Sequence, residues 1–241
     1  MNPTLPEWSL LVKLLMAHMI SDYFLQFNSW TADKGQRRIK SIKLYFHILV
    51  TFLAAWVLSG HFGAALFIAV THYIIDLGKL YLKFNRFVLF IADQAFHTII
   101  LVLTWLWLIN GWLWLQQATE ALAQNPNFWV ILFSYLVITF PLSIIIDIFI
   151  HRWRSQLAEE KQASLFQAGH WIGVLERILV LTFILMGQFS AMGFLIATKA
   201  ILRFKDTEIK QMEYVLIGTL MSLTPTILLG IVSNYLWNYW G

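Results

Sequence analysis

His18-Met-Ile-Ser-Asp22, His72-Tyr-Ile-Ile-Asp76 and Asp93-Gln-Ala-Phe-His97 repeat one spacing three times, and His47 lies between the first two pairs. On a helix, residues four apart share a face, one turn above each other, so each pair aims two polar groups at a common point. The surroundings are apolar, as in Leu14-Leu-Met-Ala17 and Phe67-Ile-Ala-Val70. Ionisable groups are costly inside a bilayer, and where they occur there they mark a functional site. The pattern reads as four helices converging on one polar site within a membrane.

Composition sets the class. Of 241 residues, 59% are hydrophobic and 12% charged, whereas soluble domains carry about 25% charged residues. Runs of membrane-crossing length recur along the chain. The expected fold is all-α, a single polytopic membrane domain over 1–241. It comprises a four-helix His/Asp region (7–109), a fifth helix (128–150), an amphipathic surface helix (151–168) and C-terminal helices (172–237). No basic stretch leads into a short apolar run with a small-residue cleavage site, so no cleaved signal peptide is expected. Cysteine is absent, which excludes disulfides and thiolate chemistry.

Along the chain, the first apolar segment covers 7–27 and a basic loop follows at 34–43. The second segment, 44–59, ends in a tight turn at Ser59-Gly60-His61, and the third runs to about Lys83. The fourth covers 87–109. A linker over 110–127 places Trp112 and Trp114 at the interface. After the fifth segment and the surface helix come 172–187, a turn at Gly187-Gln188, a shorter piece at 190–204, and 214–237, which Pro225 is expected to kink.

Apart from Lys13 and Arg177, every Lys and Arg falls within 34–43, 79–86, 152–161 or 199–210. The positive-inside rule places those patches in the cytoplasm, with both termini outside and about eight crossing helices, or seven if 190–204 does not cross. The net charge of +4 therefore reads as orientation and gives no sign of a nucleic-acid partner. The expected partners are the lipid bilayer and a lipid or anionic headgroup as substrate; no protein partner is readable.

His18, Asp22, His47, His72, Asp76, Asp93 and His97 all fall in the inner halves of their segments. Neutral imidazole and carboxylate offer the lone pairs that metal ligation needs. Seven donors exceed the four of one tetrahedral ion, and they match two ions sharing a carboxylate, a pattern used for phosphoryl transfer and related hydrolysis. The oxygen and nitrogen donors suit a divalent metal, Zn first, with Mn, Fe or Mg as alternatives, as one or two ions. The same groups would also serve as helix-packing hydrogen bonds or a proton relay.

His47 is a seventh ligand or a general base. Gln26, Gln94 and Lys79 stand near enough to support the ligands. Arg177, with Glu176 beside it, is a catalytic candidate for meeting negative charge, and Lys199 and Arg203 would hold an anionic headgroup. Against this stand positive-inside anchoring and an ion pair of Glu176 or Glu213. Asp147 and His151 repeat the spacing at a helix end, where polar residues cost little. His61 and His170 fall at turns or interfaces.

Four strings together, His18-Met-Ile-Ser-Asp22-Tyr-Phe-Leu-Gln26, Asp93-Gln94-x2-His97, Gly169-His-Trp-Ile-Gly173-Val-Leu-Glu176-Arg177 and Glu213-Tyr-Val-Leu-Ile-Gly218-Thr-Leu-Met-Ser222, resemble the bacterial multispanning family called domain of unknown function 3307. The motifs reach from the first helix to the last. The resemblance implies a bacterial inner-membrane protein and brings no activity with it. The His-x3-Asp pairs are also similar to those of membrane-bound metal-dependent hydrolases. The favoured function is hydrolysis of a lipid or membrane-associated ester, amide or phosphoester from the cytoplasmic side. The alternatives are a transporter or channel for a metal ion or proton, and a membrane scaffold. A transporter needs a polar route to both faces, and the outer halves read as apolar.

Overall fold

Thr4 opens the first helix: its backbone N–H and its hydroxyl both donate to the Glu7 carboxylate, at 2.5 and 2.7 Å, the reciprocal half of a capping box. A computed structural model describes residues 2–154, 162–203 and 209–240; the side chains of 151–154, 162–168, 200, 202–203, 209–215 and 240 lie outside the description. Among the described residues the chain is helical, and it packs as two compact units, Met1–Thr119 and Glu120–Gly241.

The first unit contains α1 (Leu5–Met19), a π-helical turn (Ile20–Phe24), α2 (Asn28–Arg37), a short 3-10 turn (Arg38–Lys40), α3 (Ile42–Ser59), α4 (Phe62–Lys79), α5 (Arg86–Leu108) and most of α6 (Trp112–Gln124). α3 begins where Ser41 Oγ accepts from Leu44 N–H at 3.3 Å, an N-cap. It ends at Gly60, whose φ of 75° is the left-handed conformation that glycine adopts without strain. The two-residue connection makes α3 and α4 an antiparallel pair. Ala55, Ala64 and Ala65 are buried, and small residues of this kind let helix backbones approach closely within a membrane.

The apolar core of this unit sits at one end. Leu14, Ala17, Ala55, Ala65, Ile68, Leu101, Trp105 and Leu106 form it. Trp8, Trp105 and Trp114 close it, with ring centroids 5.0 to 5.9 Å apart, and Trp105 Nε1 donates to the Glu7 carbonyl at 2.7 Å.

The second unit is built from α7 (Pro126–Thr139), α8 (Pro141–Arg154), α9 (Gln162–Leu185), α10 (Phe189–Arg203) and α11 (Ile209–Trp240). α11 packs on α7, α8 and α9, and α10 on α9. Gly187 turns the chain with φ 68°, and Pro225 lies inside α11.

Five stretches are long and apolar enough to cross a bilayer: Ile42–Ser59, Phe62–Lys79, Arg86–Leu108, Pro126–Ile150 and Leu216–Tyr239. The pair Leu5–Phe24 and Asn28–Lys40, bent by 82°, makes a sixth if counted as one span. A helix rises about 1.5 Å per residue, so 18 residues or more nearly cover a hydrocarbon core of about 30 Å. Val57, Ile74, Phe87 and Ile148 stay exposed, as lipid-facing side chains do.

Several boundaries differ from the sequence reading. The basic stretch 34–43 is not a loop. Most of it is helical, because Ala32, Lys34, Gln36 and Arg37 favour helix while showing no apolar period to reveal it. The 110–127 linker holds α6. The 128–150 segment divides at Pro141, whose missing N–H suits the first turn of a new helix. The 172–187 segment begins earlier, at Gln162. In the expected surface helix 151–168, residues 155–161 lie outside the described residues, and the two ends belong to α8 and α9.

Close packing of α3 on α4 yields a stability prediction. Ala65→Leu forces a larger side chain into a filled site, at about 1–3 kcal/mol. Thermal unfolding of the detergent-solubilised protein is expected to shift to lower temperature. An unchanged transition contradicts the packing at Ala65.

Candidate metal centre

His18 lies near the end of α1, after which the backbone widens into the π-helical turn that carries Asp22. Such single widened turns recur at functional sites. The expected pairing survives the change of helix type: His18 Nδ1 is 3.6 Å from Asp22 Oδ1. His47 lies in the first half of α3, His72 and Asp76 in the second half of α4, and Asp93 and His97 in the first half of α5. Because neighbouring helices run in opposite directions, these positions fall in one layer, at the end of the unit away from the Trp105 core.

All seven predicted ligands meet there, with almost no side-chain exposure. His72 Nε2 is 3.3 Å from Asp22 Oδ1 and 3.9 Å from Asp76 Oδ1. His47 Nε2 is 3.0 Å from His72 Nε2, 3.6 Å from Asp22 Oδ1 and 3.5 Å from Asp76 Oδ2. His97 Nε2 is 3.7 Å from Asp76 Oδ1 and 3.6 Å from Asp93 Oδ1. The His72 and His97 rings stack at 3.9 Å.

These separations suit a metal ion better than they suit hydrogen bonds. Most exceed the hydrogen-bond range. Two donors each about 2.1 Å from a tetrahedral ion stand roughly 3.4 Å apart. Three groups have all their donor atoms within 4.8 Å of one another: His18, Asp22 and His72; His47, His72 and Asp76; Asp76, Asp93 and His97. In the last group, Asp93 Oδ1 and His97 Nε2 are buried with no hydrogen-bond partner, a costly state that an ion between them relieves. His72 belongs to two groups, and its Nε2 lone pair serves only one ion. Asp76 has two oxygens and so can join the last two groups as a shared carboxylate.

Supporting contacts surround the ligands. Gln26, at the bend between α1 and α2, lies 3.1 Å from His47 Nε2. Gln94 Oε1 lies 3.3 Å from His18 Nε2, and its amide donates to Asp93 Oδ2 at 3.2 Å. Lys79 Nζ donates to Asp93 Oδ2 at 2.6 Å. A small cleft touches the cluster at His18, His72 and His97 and is lined further by Thr71 and Ile100.

Lys34 escapes the sequence reading. It reads as one charge of a cytoplasmic basic loop, yet it is buried on α2, and its Nζ donates to Asp76 Oδ2 at 2.7 Å. No spacing rule points to it, because the 82° bend brings it to the site.

The remaining candidates lie elsewhere. Arg177 is buried in the second unit, where Nε donates to the Ile138 carbonyl at 2.6 Å and the other nitrogens to Ser143 Oγ and Ser222 Oγ. Glu176 accepts from Lys199. Neither Glu176 nor Arg177 belongs to the three ligand groups. Asp147 is exposed on α8, His170 lies edge-on to Trp171 at 6.0 Å, and His61 Nδ1 bonds the Ser59 carbonyl at 2.8 Å. The side chains of His151, Arg203 and Glu213 lie outside the described residues.

Residues 10–125 match the family described as Protein of unknown function (DUF3307). The DUF3307 region holds all seven ligand candidates and Lys34. It spans just under half of the chain, and the motifs at 169–177 and 213–222 fall beyond the matched residues, so the family match is narrower than the sequence resemblance. No curated protein and no solved structure matches the chain.

Two metal-content outcomes follow from these contacts. Asp76→Ala removes the carboxylate common to two ligand groups and is expected to empty the site of zinc, while Asp147→Ala leaves zinc unchanged. Gln26→Ala leaves the ligands in place and is expected to weaken zinc about 10- to 100-fold. Elemental analysis and competition with a chelator measure both. A well-folded wild-type protein that retains no divalent metal refutes the assignment.

Proposed function

We propose that the DUF3307 region is a membrane-embedded metal-dependent hydrolase acting on a lipid or membrane-associated ester, amide or phosphoester. The supporting observation is the buried His/Asp layer with its unpartnered Asp93 Oδ1 and His97 Nε2. His47, His72 and Asp76 would hold one divalent ion, and Asp76, Asp93 and His97 a second. Zn suits the donor set, with Mn, Fe or Mg as alternatives. Such ions supply a Lewis acid and make water nucleophilic at neutral pH.

The chain's own groups supply the rest. Gln26 orients the His47 ring, and Gln94 orients His18. His47 alternatively takes a proton from the attacking water as general base. Hydrolysis joins the water oxygen to the acyl or phosphoryl centre, breaks the bond to the leaving atom, and returns a proton to that atom. Arg177 and Glu176 are not needed for this scheme, since their polar atoms are met within the second unit.

The apolar core beyond the cluster favours a hydrolase over a transporter. Leu14, Ile68, Leu101 and Trp105 fill the bundle on that side, which is unlike a polar route to the other face. In topology, α9 and α10 would add to the five or six spans to give seven or eight crossings. The basic patches and the cluster would then face the cytoplasm of a bacterial inner membrane.

Two measurements test this reading. Proteoliposomes are expected to hydrolyse at least one member of a lipid panel, and Asp93→Asn abolishes turnover. Flux of the metal across the same vesicles without any turnover replaces the hydrolase with a transporter. Because the sequence lacks cysteine, single cysteines report orientation directly: one at Gln124 is expected to react with an impermeant reagent from outside, and one at Gln36 only after permeabilisation. The reverse labelling overturns the cytoplasmic opening.

A further inference from the structure

We infer that Lys34 is the anion-recognition residue of this site and that the ligand it recognises carries a phosphate group. The inference rests on the metal-centre reading above and narrows its substrate class.

The first reason is burial. An ammonium group is strongly hydrated, and placing it inside a bilayer protein is costly unless it is paired. Lys34 is 5% exposed. Its position is held from both sides: Asp33, the residue before it, accepts from Ser41 Oγ at 2.5 Å and pairs with Arg37 at 3.2 Å, which docks α2 over the start of α3. A lysine that served only to anchor the chain at the membrane surface would keep its head in water.

The second reason is competition for one oxygen. Lys34 Nζ lies 2.7 Å from Asp76 Oδ2. That same oxygen is 3.5 Å from His47 Nε2 and belongs to the shared carboxylate. An ion held by His47, His72 and Asp76 draws on it too. The ammonium has three donors and no acceptor, and once Asp76 is shared with an ion it needs a further acceptor.

The third reason is charge. Asp22, Asp76 and Asp93 with Lys34 and Lys79 leave one net negative charge when the imidazoles are neutral. Two divalent ions turn this into three net positive charges, and a single ion turns it into one. A buried site cannot keep such an excess unbalanced. A neutral ester or amide contributes nothing towards balance. A phosphate monoester or free phosphate brings up to two negative charges and three strong acceptor oxygens. Lys79 is 37% exposed at its side chain and Lys34 is buried, so Lys34 is the desolvated cation of the two.

The test uses the full chain in detergent, loaded with zinc, with metal content and equilibrium binding of radiolabelled inorganic phosphate read on the same samples. Wild type is expected to bind phosphate saturably, and to lose that binding on chelation. Lys34→Gln and Lys34→Met, the latter keeping the apolar stem, are expected to retain zinc and weaken phosphate about 10-fold or more. Lys34→Arg is expected to retain binding, since a guanidinium also pairs with phosphate. Phosphatidate in mixed micelles is the second probe. Displacement of bound phosphate by phosphatidate, and not by phosphatidylcholine, identifies a lipid headgroup as the source. Displacement by unlabelled phosphate alone identifies the free anion, and either result supports the phosphate chemistry. Zinc-loaded Lys34→Gln or Lys34→Met that binds phosphate as tightly as wild type overturns the role of Lys34 and leaves the metal centre standing. So does zinc-loaded wild type that binds neither probe. Failure of wild type to hold zinc overturns both readings together.

Discussion

Three carboxylates, Asp22, Asp76 and Asp93, lie buried among lipid-facing helices, and the rest of the first unit answers that constraint. A bare carboxylate in hydrocarbon is costly enough that it must be paired, neutralised or bound to a cation. The chain answers with two lysines from opposite sides, four imidazoles between them, and amides on the rim. The compensation is incomplete, because Asp93 Oδ1 and His97 Nε2 remain without a hydrogen-bond partner. Natural structures seldom leave such atoms in place without a use for them.

The break after α1 follows from the same need. A straight helix from Leu5 onwards would carry Lys34 far from Asp76. The π-helical turn, the bend of 82° and the docking of α2 through Asp33 and Ser41 return the chain across the site. Two otherwise unrelated contacts come from this one reversal, Gln26 to His47 and Lys34 to Asp76. The opposite end of the unit needs no such device, since Trp8, Trp105 and Trp114 pack there and Trp105 Nε1 donates to the Glu7 carbonyl. Polarity and packing are thus separated along the bundle axis.

The second unit solves a similar problem differently. Arg177 is as buried as the cluster residues, yet it is met by a backbone carbonyl and two serine hydroxyls. Neutral acceptors can satisfy a guanidinium because its charge is delocalised and its donors are spread in a plane. No second ion is called for, and the contrast shows why burial of a charge is not by itself a sign of chemistry. In the first unit, by contrast, Asp93 Oδ1 and His97 Nε2 lie without a hydrogen-bond partner inside one group of closely spaced potential ligands.

Six of the seven ligand candidates were legible because a helix imposes a period: His18, Asp22, His72, Asp76, Asp93 and His97 announce a shared face by spacing alone, and apolar neighbours announce the membrane. Turns at Gly60 and Gly187 were legible because the left-handed conformation calls for glycine. α2 was not, since a polar helix that lies against a bundle lacks an apolar stripe. Sequence alone therefore determined that the chain is helical, membrane-bound and equipped with a layer of His and Asp. Only the tertiary structure decided that Lys34 belongs to that layer, that Asp76 is the carboxylate shared between donor groups, and that Arg177 finds its partners in another unit. The physical reason is that periodicity encodes which face a residue occupies on its own helix. The direction in which a helix leaves a bend is set by packing between segments far apart in the chain.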